Sequence, residues 1–509
     1  MFVHDFLINS AERFPYKEAI IHGGTTYSYA EVLAAAESIA KLLLECNYHQ
    51  GFRAAVLTDD PFEYVTSYFG ILMAGGIAVG MNVQTSSRNL KTILNDCTPS
   101  IIFTQEKFRR YIEKNNDVPT LSMVVISGSD DNLPNNNFIT WIDRSQVLRS
   151  ATDSTLELEP PQINATAIAQ IIYTSGTTGI PKGVMLRHSN LVANTNSTIE
   201  YLQLSDDDRV MAVLPFFYSY GNSVLLTHIA VGGSLVVNMN FLYPNVILEQ
   251  IIKEKVTGFS GVASTFAILL NRSAIKKYSF PDLRYVTQAG SSMSPHMAQQ
   301  LEKVLPGIKI FIMYGQTEAA PRLSYLDPKE IYRKPGSIGK AIPGVTLKLL
   351  DEAGTPVLSG EIGEIVASGD NIMAGYWEKP DETAKVLRPE GLWTGDLAIM
   401  DSEGFLYIVS RKSDLIKSGA HRIAPKEIED IIQEYEAVHE VAVVGIKDEI
   451  LGESIKACIV LKTDVSCSAK EITLHCRRNL PAFKVPHQIE FYKELPKTGT
   501  GKICKSKLR

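Results

Sequence analysis

The chain is poor in the features that mark several large protein classes. It has six cysteines, Cys46, Cys97, Cys458, Cys467, Cys476 and Cys504. None forms a C-x-x-C pair, and the even spacing of Cys458, Cys467 and Cys476 matches no metal site. Reduced thiols in a cytoplasmic protein are therefore expected. Lys and Arg total 50 against 56 Asp and Glu, a net charge of -6. That leaves no basic footprint for nucleic acid. Long apolar runs are missing too. The most apolar stretch, Tyr68 to Met81, is broken by Gly70, Gly75 and Gly76, so it reads as a buried helix-to-strand segment rather than a membrane span. Asp5 and Glu12 near the N-terminus argue against a signal peptide. No internal repeat or low-complexity tract is present.

What remains is an ordinary globular composition, 45% hydrophobic and 21% charged over 509 residues, too long for one core. Phe6, Leu7, Ala11 and Phe14 fit one face of a short helix. Ala19 to Tyr27, turning at Gly23-Gly24, reads as a hairpin. Ser28 and Glu31 have capping-box spacing, which predicts a helix to about Cys46. Strands then alternate with helices as far as Met313, and Ser189 is placed to cap a helix through about Tyr201. This pattern predicts an α/β fold with parallel sheets covered on both faces. Short strands with Gly, Asp and Glu turns follow, a β-rich lobe over about 340–411. A compact α+β unit occupies 412–509, which leaves 1–411 as a large N-terminal domain.

The densest signal is Ile171 to Met185, with Thr174-Ser175-Gly176-Thr177-Thr178-Gly179 and then Lys182. Glycines let backbone N–H groups converge, hydroxyls add donors and Lys182 adds charge, so the run forms a nest suited to a polyphosphate. It is not a Walker A loop, because Pro181 precedes the lysine and Gly183 follows it. Ser175 is no Gly-x-Ser-x-Gly nucleophile and His188 has no triad partner, so His188 is read as structural. Further along, Tyr314-Gly315-Gln316-Thr317-Glu318 closes a strand where α/β sheets bind ligands. Tyr314 can stack on a purine, Thr317 can reach a phosphate, and Glu318 can hold Mg²⁺. Asp396, after the Trp393-Thr394-Gly395 turn, can accept two ribose hydroxyls.

The Ile171–Met185 run resembles the phosphate-loop signature of the AMP-forming adenylating enzymes: acyl-CoA synthetases, free-standing and modular adenylation domains, and beetle luciferases. The remaining motifs follow in that family's order over nearly the whole chain. The resemblance implies ATP and Mg²⁺ as cofactors and Lys502, in Leu495 to Ile503, as the catalytic lysine, with Glu318 and Thr178 beside it. It places nucleotide contacts at Thr174, Ser175, Gly176, Thr177, Thr178, Lys182, Gly290, Ser291, Tyr314, Gly315, Thr317, Asp396 and Arg411. It places the acyl pocket at Tyr218, Tyr220, Gly221, Val262 and Gly290, the interdomain hinge at Ser413, and a thiol tunnel at Lys417 and Gly419. The chain departs from the family at Ala263, usually Pro, at Ser413, usually Asp or Lys, and at Ala420, usually Gly.

The implied reaction joins a carboxylic acid to ATP as an acyl-adenylate and passes the acyl group to a thiol. Phe216 to Asn222 holds no Asp of the kind that binds an α-ammonium, which argues against most α-amino acids. Tyr218 to Leu225 nevertheless looks similar to free-standing enzymes that load proline onto carrier proteins. A carrier-protein phosphopantetheine is thus the expected acceptor, with L-proline a candidate acid. The alternatives are a fatty or aryl acyl-CoA synthetase using free CoA, and a relative that binds nucleotide or acyl group without turnover.

Overall fold

The computed structural model describes residues 1–114, 118–129, 133–134, 138–150, 161–175, 181–418, 421–448, 451–462, 465–497 and 503–509. Two large sheets carry the N-terminal part. In the nine-stranded sheet, strands Glu18–His22, Ser234–Val237, Arg209–Ala212, Gly258–Gly261, Tyr285–Gln288 and Lys309–Gly315 run parallel in that spatial order. Antiparallel strands close both edges. The eight-stranded sheet is parallel from Thr140–Asp143 across to Ile168–Ser175. Its far edge is the antiparallel hairpin of Ile168–Ser175 with Pro181–Arg187, flanked by Gly375–Tyr376. The alternation of strands and helices thus gives the expected parallel architecture, and one hydrophobic core joins both sheets through side chains such as Tyr68, Phe69, Phe216 and Tyr285.

Local signals hold at several element ends. Ser28 caps Tyr29–Glu45 with the reciprocal Glu31 bond of a capping box. Asp60 caps Pro61–Met73, which leads straight into the buried strand Ile77–Gly80. Ser189 does not cap as expected: the helix begins at His188, because Asn190 reaches back to the Arg187 N–H at 2.9 Å and fixes the start earlier. His188 is 1% exposed, accepts the Val3 N–H at 3.2 Å, and burial pulls its pKa down to about 3. It is a structural residue. Among the described residues no helix is long and apolar enough to cross a membrane.

After the second sheet, strands Val345–Leu350, Gly363–Gly369, Gly391–Met400 and Leu406–Arg411 form a small antiparallel sheet. A last sheet, built on Val438–Asp448 and Gly452–Leu461, packs against helices Pro425–Gln433 and Ala469–Asn479 around its own core.

One buried carboxylate aligns three parallel strands of the nine-stranded sheet. Asp208 is 1% exposed and immediately precedes Arg209–Ala212. It takes the Ser205 N–H at 2.9 Å, the Thr257 hydroxyl at 2.7 Å, and the Arg284 guanidinium. Thr257 and Arg284 each stand one residue before the neighbouring strands. Burial alone would raise the Asp208 pKa, but these donors outweigh it and hold the carboxyl below its usual value. Its contribution is therefore present above the unfolded-state pKa of about 4 and is lost as pH falls through the lower folded-state value. Asp208→Asn should destabilise by about 2–3 kcal/mol at neutral pH. The gap between the thermal midpoints of the two proteins should close as the pH is taken below about 4.

Candidate active site

The site forms where the C-terminal ends of the parallel strands meet the small antiparallel sheet. Tyr314 ends the strand Lys309–Gly315, and its hydroxyl donates to Asp396 Oδ2 at 2.7 Å. Asp396 Oδ1 accepts from Arg411 Nε at 2.8 Å, across a strand register that pairs the two residues directly. Gly395, in the left-handed region at φ +75°, gives its N–H to Glu364 Oε1 at 3.0 Å and turns Asp396 inward. Burial, then the Asp396 charge, pushes the Tyr314 phenol well up; Asp396 in turn holds Arg411 charged beyond its ordinary value. Each oxygen of Asp396 keeps a free lone pair.

A second group faces the phosphate-loop hairpin. Tyr376 donates to Glu318 Oε1 at 2.8 Å, and Lys182 Nζ stands 5.2 Å from the Tyr376 ring centroid. Lys182 sits opposite Thr174 in the hairpin and pairs with Glu382 Oε2 at 2.5 Å. The Lys182 bond, with help from Lys385, pulls the Glu382 carboxyl down to about 2. Thr317 Oγ1 lies 3.1 Å from Ser219 Oγ. The turn carrying Glu318 is braced from below. Asn371 Nδ2 donates to Ala319 O at 2.8 Å, and Asn194 Nδ2 to Arg322 O at 2.9 Å.

The residues expected to line the acyl pocket stand at the ends of neighbouring elements. Tyr218 accepts from Asn82 Nδ2 at 3.1 Å, and burial pushes its pKa up to about 12. Tyr220 donates to Thr287 O at 2.9 Å. Gly221 admits no side chain, since a Cβ there would lie 2.1 Å from Pro215 O. Gly290 is left-handed at φ +85°, and the Ser291 carbonyl accepts from Gln288 Nε2. Val262 caps the helix Ala263–Arg272, so Ala263 takes the first helical position, where proline and alanine both fit; that departure leaves the backbone intact.

Ser413 lies in the short turn Lys412–Asp414, and its carbonyl accepts from Arg509 at 3.4 Å. The Lys417 N–H donates to Glu453 Oε2 at 2.7 Å. Gly176, Thr177, Thr178, Gly419 and Lys502 lie outside the described residues, as does the side chain of Ser175. Sequence reasoning missed Tyr376, Glu382, Asn82, Asn194, Asn371 and Arg322. Their partners are distant in the chain, so no local spacing announces them.

The AMP-binding enzyme family profile matches residues 7–377, and that of the AMP-binding enzyme C-terminal domain matches 427–502. The chain belongs to this family, the AMP-forming adenylating enzymes. It is 33% identical to a long-chain-fatty-acid–CoA ligase of Bacillus subtilis, over 99% of this chain and 94% of the relative. Among solved structures, the anthranilate CoA ligase AuaEII in complex with anthranoyl-AMP superposes with a TM-score of 0.91 at 28% identity, covering 100% and 96% of the two chains. The O-succinylbenzoate coenzyme A synthetase MenE of Bacillus subtilis, bound to ATP and magnesium, gives 0.85 at 27% identity, covering 99% and 98%.

The closeness of Gly315 to the next strand gives a direct check on the geometry. A Cβ at Gly315 would lie 1.8 Å from Pro321 O. Gly315→Ala must therefore push the strand carrying Tyr314 away from its antiparallel neighbour. It should destabilise the protein by about 2–3 kcal/mol, read as a lower thermal midpoint together with a changed near-ultraviolet dichroism from the displaced tyrosines.

Proposed function

We propose that the protein activates a fatty or aryl carboxylic acid with ATP and transfers the acyl group to free CoA. The observation that carries this reading is the convergence of three kinds of group on one strand-end cleft. They are the Asp396–Arg411 pair for a ribose, Lys182 on the loop hairpin for phosphates, and Glu318 for a cation. Among the described residues no group of three or more His, Cys, Asp or Glu could hold a metal. Glu318, a carboxylate facing the loop hairpin, would hold Mg²⁺ together with phosphate oxygens, and the ion would neutralise phosphate charge there.

The acid's carboxylate oxygen attacks the α-phosphorus, the bond to the bridging oxygen breaks, and pyrophosphate leaves. Both reactants are anions, so the protein's work is positioning and charge neutralisation. Asp396 and Tyr314 fix the nucleoside, Lys182 leaves Glu382 for the polyphosphate, and Lys502 supplies a second positive charge at the reacting phosphate. The small C-terminal unit, 412–509, then turns about Ser413 so that a thiolate reaches the acyl carbonyl along the Lys417–Gly419 side, releasing AMP.

The choice of acceptor rests on the relatives, whose names are those of CoA ligases. The choice of acid rests on the wall: Tyr218, Tyr220, Gly221, Val262 and Gly290 bring no carboxylate to meet an α-ammonium. The likeness of Tyr218–Leu225 to proline-loading enzymes is the one feature that favours a carrier protein with L-proline.

The first test is ATP–pyrophosphate exchange over fatty acids, aryl acids and amino acids including proline, followed by AMP release with CoA. Exchange with a fatty or aryl acid and CoA-dependent turnover are expected. Exchange with proline alone, or acyl release only to a carrier protein, would overturn the reading. Lys502→Ala should lose about a hundredfold or more in exchange while still converting preformed acyl-adenylate and CoA; equal loss of both steps would refute its role. Glu382→Gln removes the carboxylate that competes for Lys182 and should tighten binding of inorganic pyrophosphate by about two- to fivefold, measured by calorimetry.

A further inference from the structure

Arg322 is a cation buried with no anion paired to it among the described residues. It is 4% exposed, and its guanidinium lies 4.1 Å from the Tyr220 ring centroid. Its Nε has no hydrogen-bond partner, and among the described residues no carboxylate lies within ion-pair distance of it. The other buried cations are provided for. Arg144 donates to the hydroxyls of Ser67 and Thr66, and Lys334 pairs with Asp401 and Glu403. The hydroxyls beside Arg322 donate elsewhere, Tyr220 to Thr287 and Tyr201 to Met313 Sδ, and the Tyr201 hydroxyl also serves Arg322 as a neutral acceptor. Both feel its charge, which works against the burial-driven rise of their pKa values.

The base of this side chain is fixed. Arg322 N–H donates to Asn194 Oδ1 at 3.3 Å, and its carbonyl accepts from Asn194 at 2.9 Å and Asn371 at 3.0 Å. Its strand register places it opposite Gly315. Stacking on a tyrosine offsets part of the desolvation of a buried guanidinium, but a planar fork of five donors is matched best by a carboxylate. A protein that holds such a fork rigid and dry, with no anion beside it among the described residues, is built to receive one.

We infer that Arg322 recognises a second carboxylate on the acid substrate, so that the preferred substrate is a dicarboxylic acyl or aryl acid, activated at one end and held at the other. The inference rests on the reading of Tyr218, Tyr220 and Gly221 as the acyl wall. Because Tyr220 belongs to that wall, an acid seated against it would have the Tyr220–Arg322 stack as its neighbour. Monocarboxylic acids would leave the guanidinium unmet, and their discrimination follows from that unpaired group rather than from pocket size.

The test uses length-matched pairs with the full-length protein: hexanoate and adipate, octanoate and suberate, phenylacetate and 1,4-phenylenediacetate. ATP–pyrophosphate exchange is measured together with calorimetric binding of each acid in the presence of AMP. In at least one pair the wild-type protein should favour the diacid by about tenfold or more in kcat/KM, carried by KM. Arg322→Met should raise the KM and Kd for that diacid about thirtyfold and change its monoacid partner less than threefold, and Arg322→Lys should restore part of the loss. Monoacids used as well as every diacid by the wild-type protein would overturn the inference and leave the adenylation reading standing. Equal loss on both members of a pair in Arg322→Met would assign Arg322 a structural role and overturn it as well. No exchange with any acid would remove both the inference and the function beneath it.

Discussion

The arrangement of the cleft depends on one shared carboxylate. Asp396 is 5% exposed and must be satisfied where it sits. Its two oxygens are taken by residues from different parts of the chain, Tyr314 at the end of the nine-stranded sheet and Arg411 at the end of the small antiparallel sheet. The two layers are thereby tied to each other at this point. That point lies at the strand ends, where an α/β sheet offers its ligand crevice. The carboxylate keeps acceptor capacity after both contacts are made, so fixing the layers and the proposed receiving of a ribose would not compete.

The charges nearest the loop hairpin are also compensated before any nucleotide arrives. Lys182 is paired with Glu382, and Glu318 takes the Tyr376 hydroxyl. Such internal pairs keep each charge oriented in a protein environment instead of leaving it to water, so little reorganisation is needed when a polyphosphate replaces one partner. Arg322 differs from these in having no carboxylate paired to it among the described residues, only a tyrosine ring and a neutral hydroxyl.

Much of this was legible in the chain, and the parts that were not share a cause. The capping box at Ser28 and Glu31, the strand–helix alternation and the hairpin turning at Gly23-Gly24 are local patterns, and they fold as read. Tyr314, Glu318 and Asp396 stood out because a strand end or a glycine turn precedes each. Tyr376 and Glu318, or Lys182 and Glu382, are joined only by topology, since their separation has no period that a sequence pattern can carry. Arg322 was hidden differently. It sits in an ordinary strand after Pro321, and nothing in a strand's composition distinguishes a paired surface arginine from a buried unpaired one. The helix expected to be capped by Ser189 shows the limit of local reading, because Asn190, inside its first turn, holds the Arg187 N–H and starts the helix at His188.

The same turn that aims Asp396 also anchors the start of the proposed hinge. Glu364, 7% exposed, takes the Gly395 N–H with one oxygen and faces the Lys412 ammonium at 3.4 Å with the other. Lys412 immediately precedes Ser413. Rotation about Ser413 would then begin at a residue held by the nucleotide-binding layer, so the pivot is defined from the large-domain side. A serine at the pivot needs no charge of its own to set the axis, because the neighbouring lysine already carries one and has a buried partner. If Ser413 is the pivot, its departure from the family's usual Asp or Lys would in this way be compensated one residue earlier, by a contact that also orients the carboxylate on which the cleft depends.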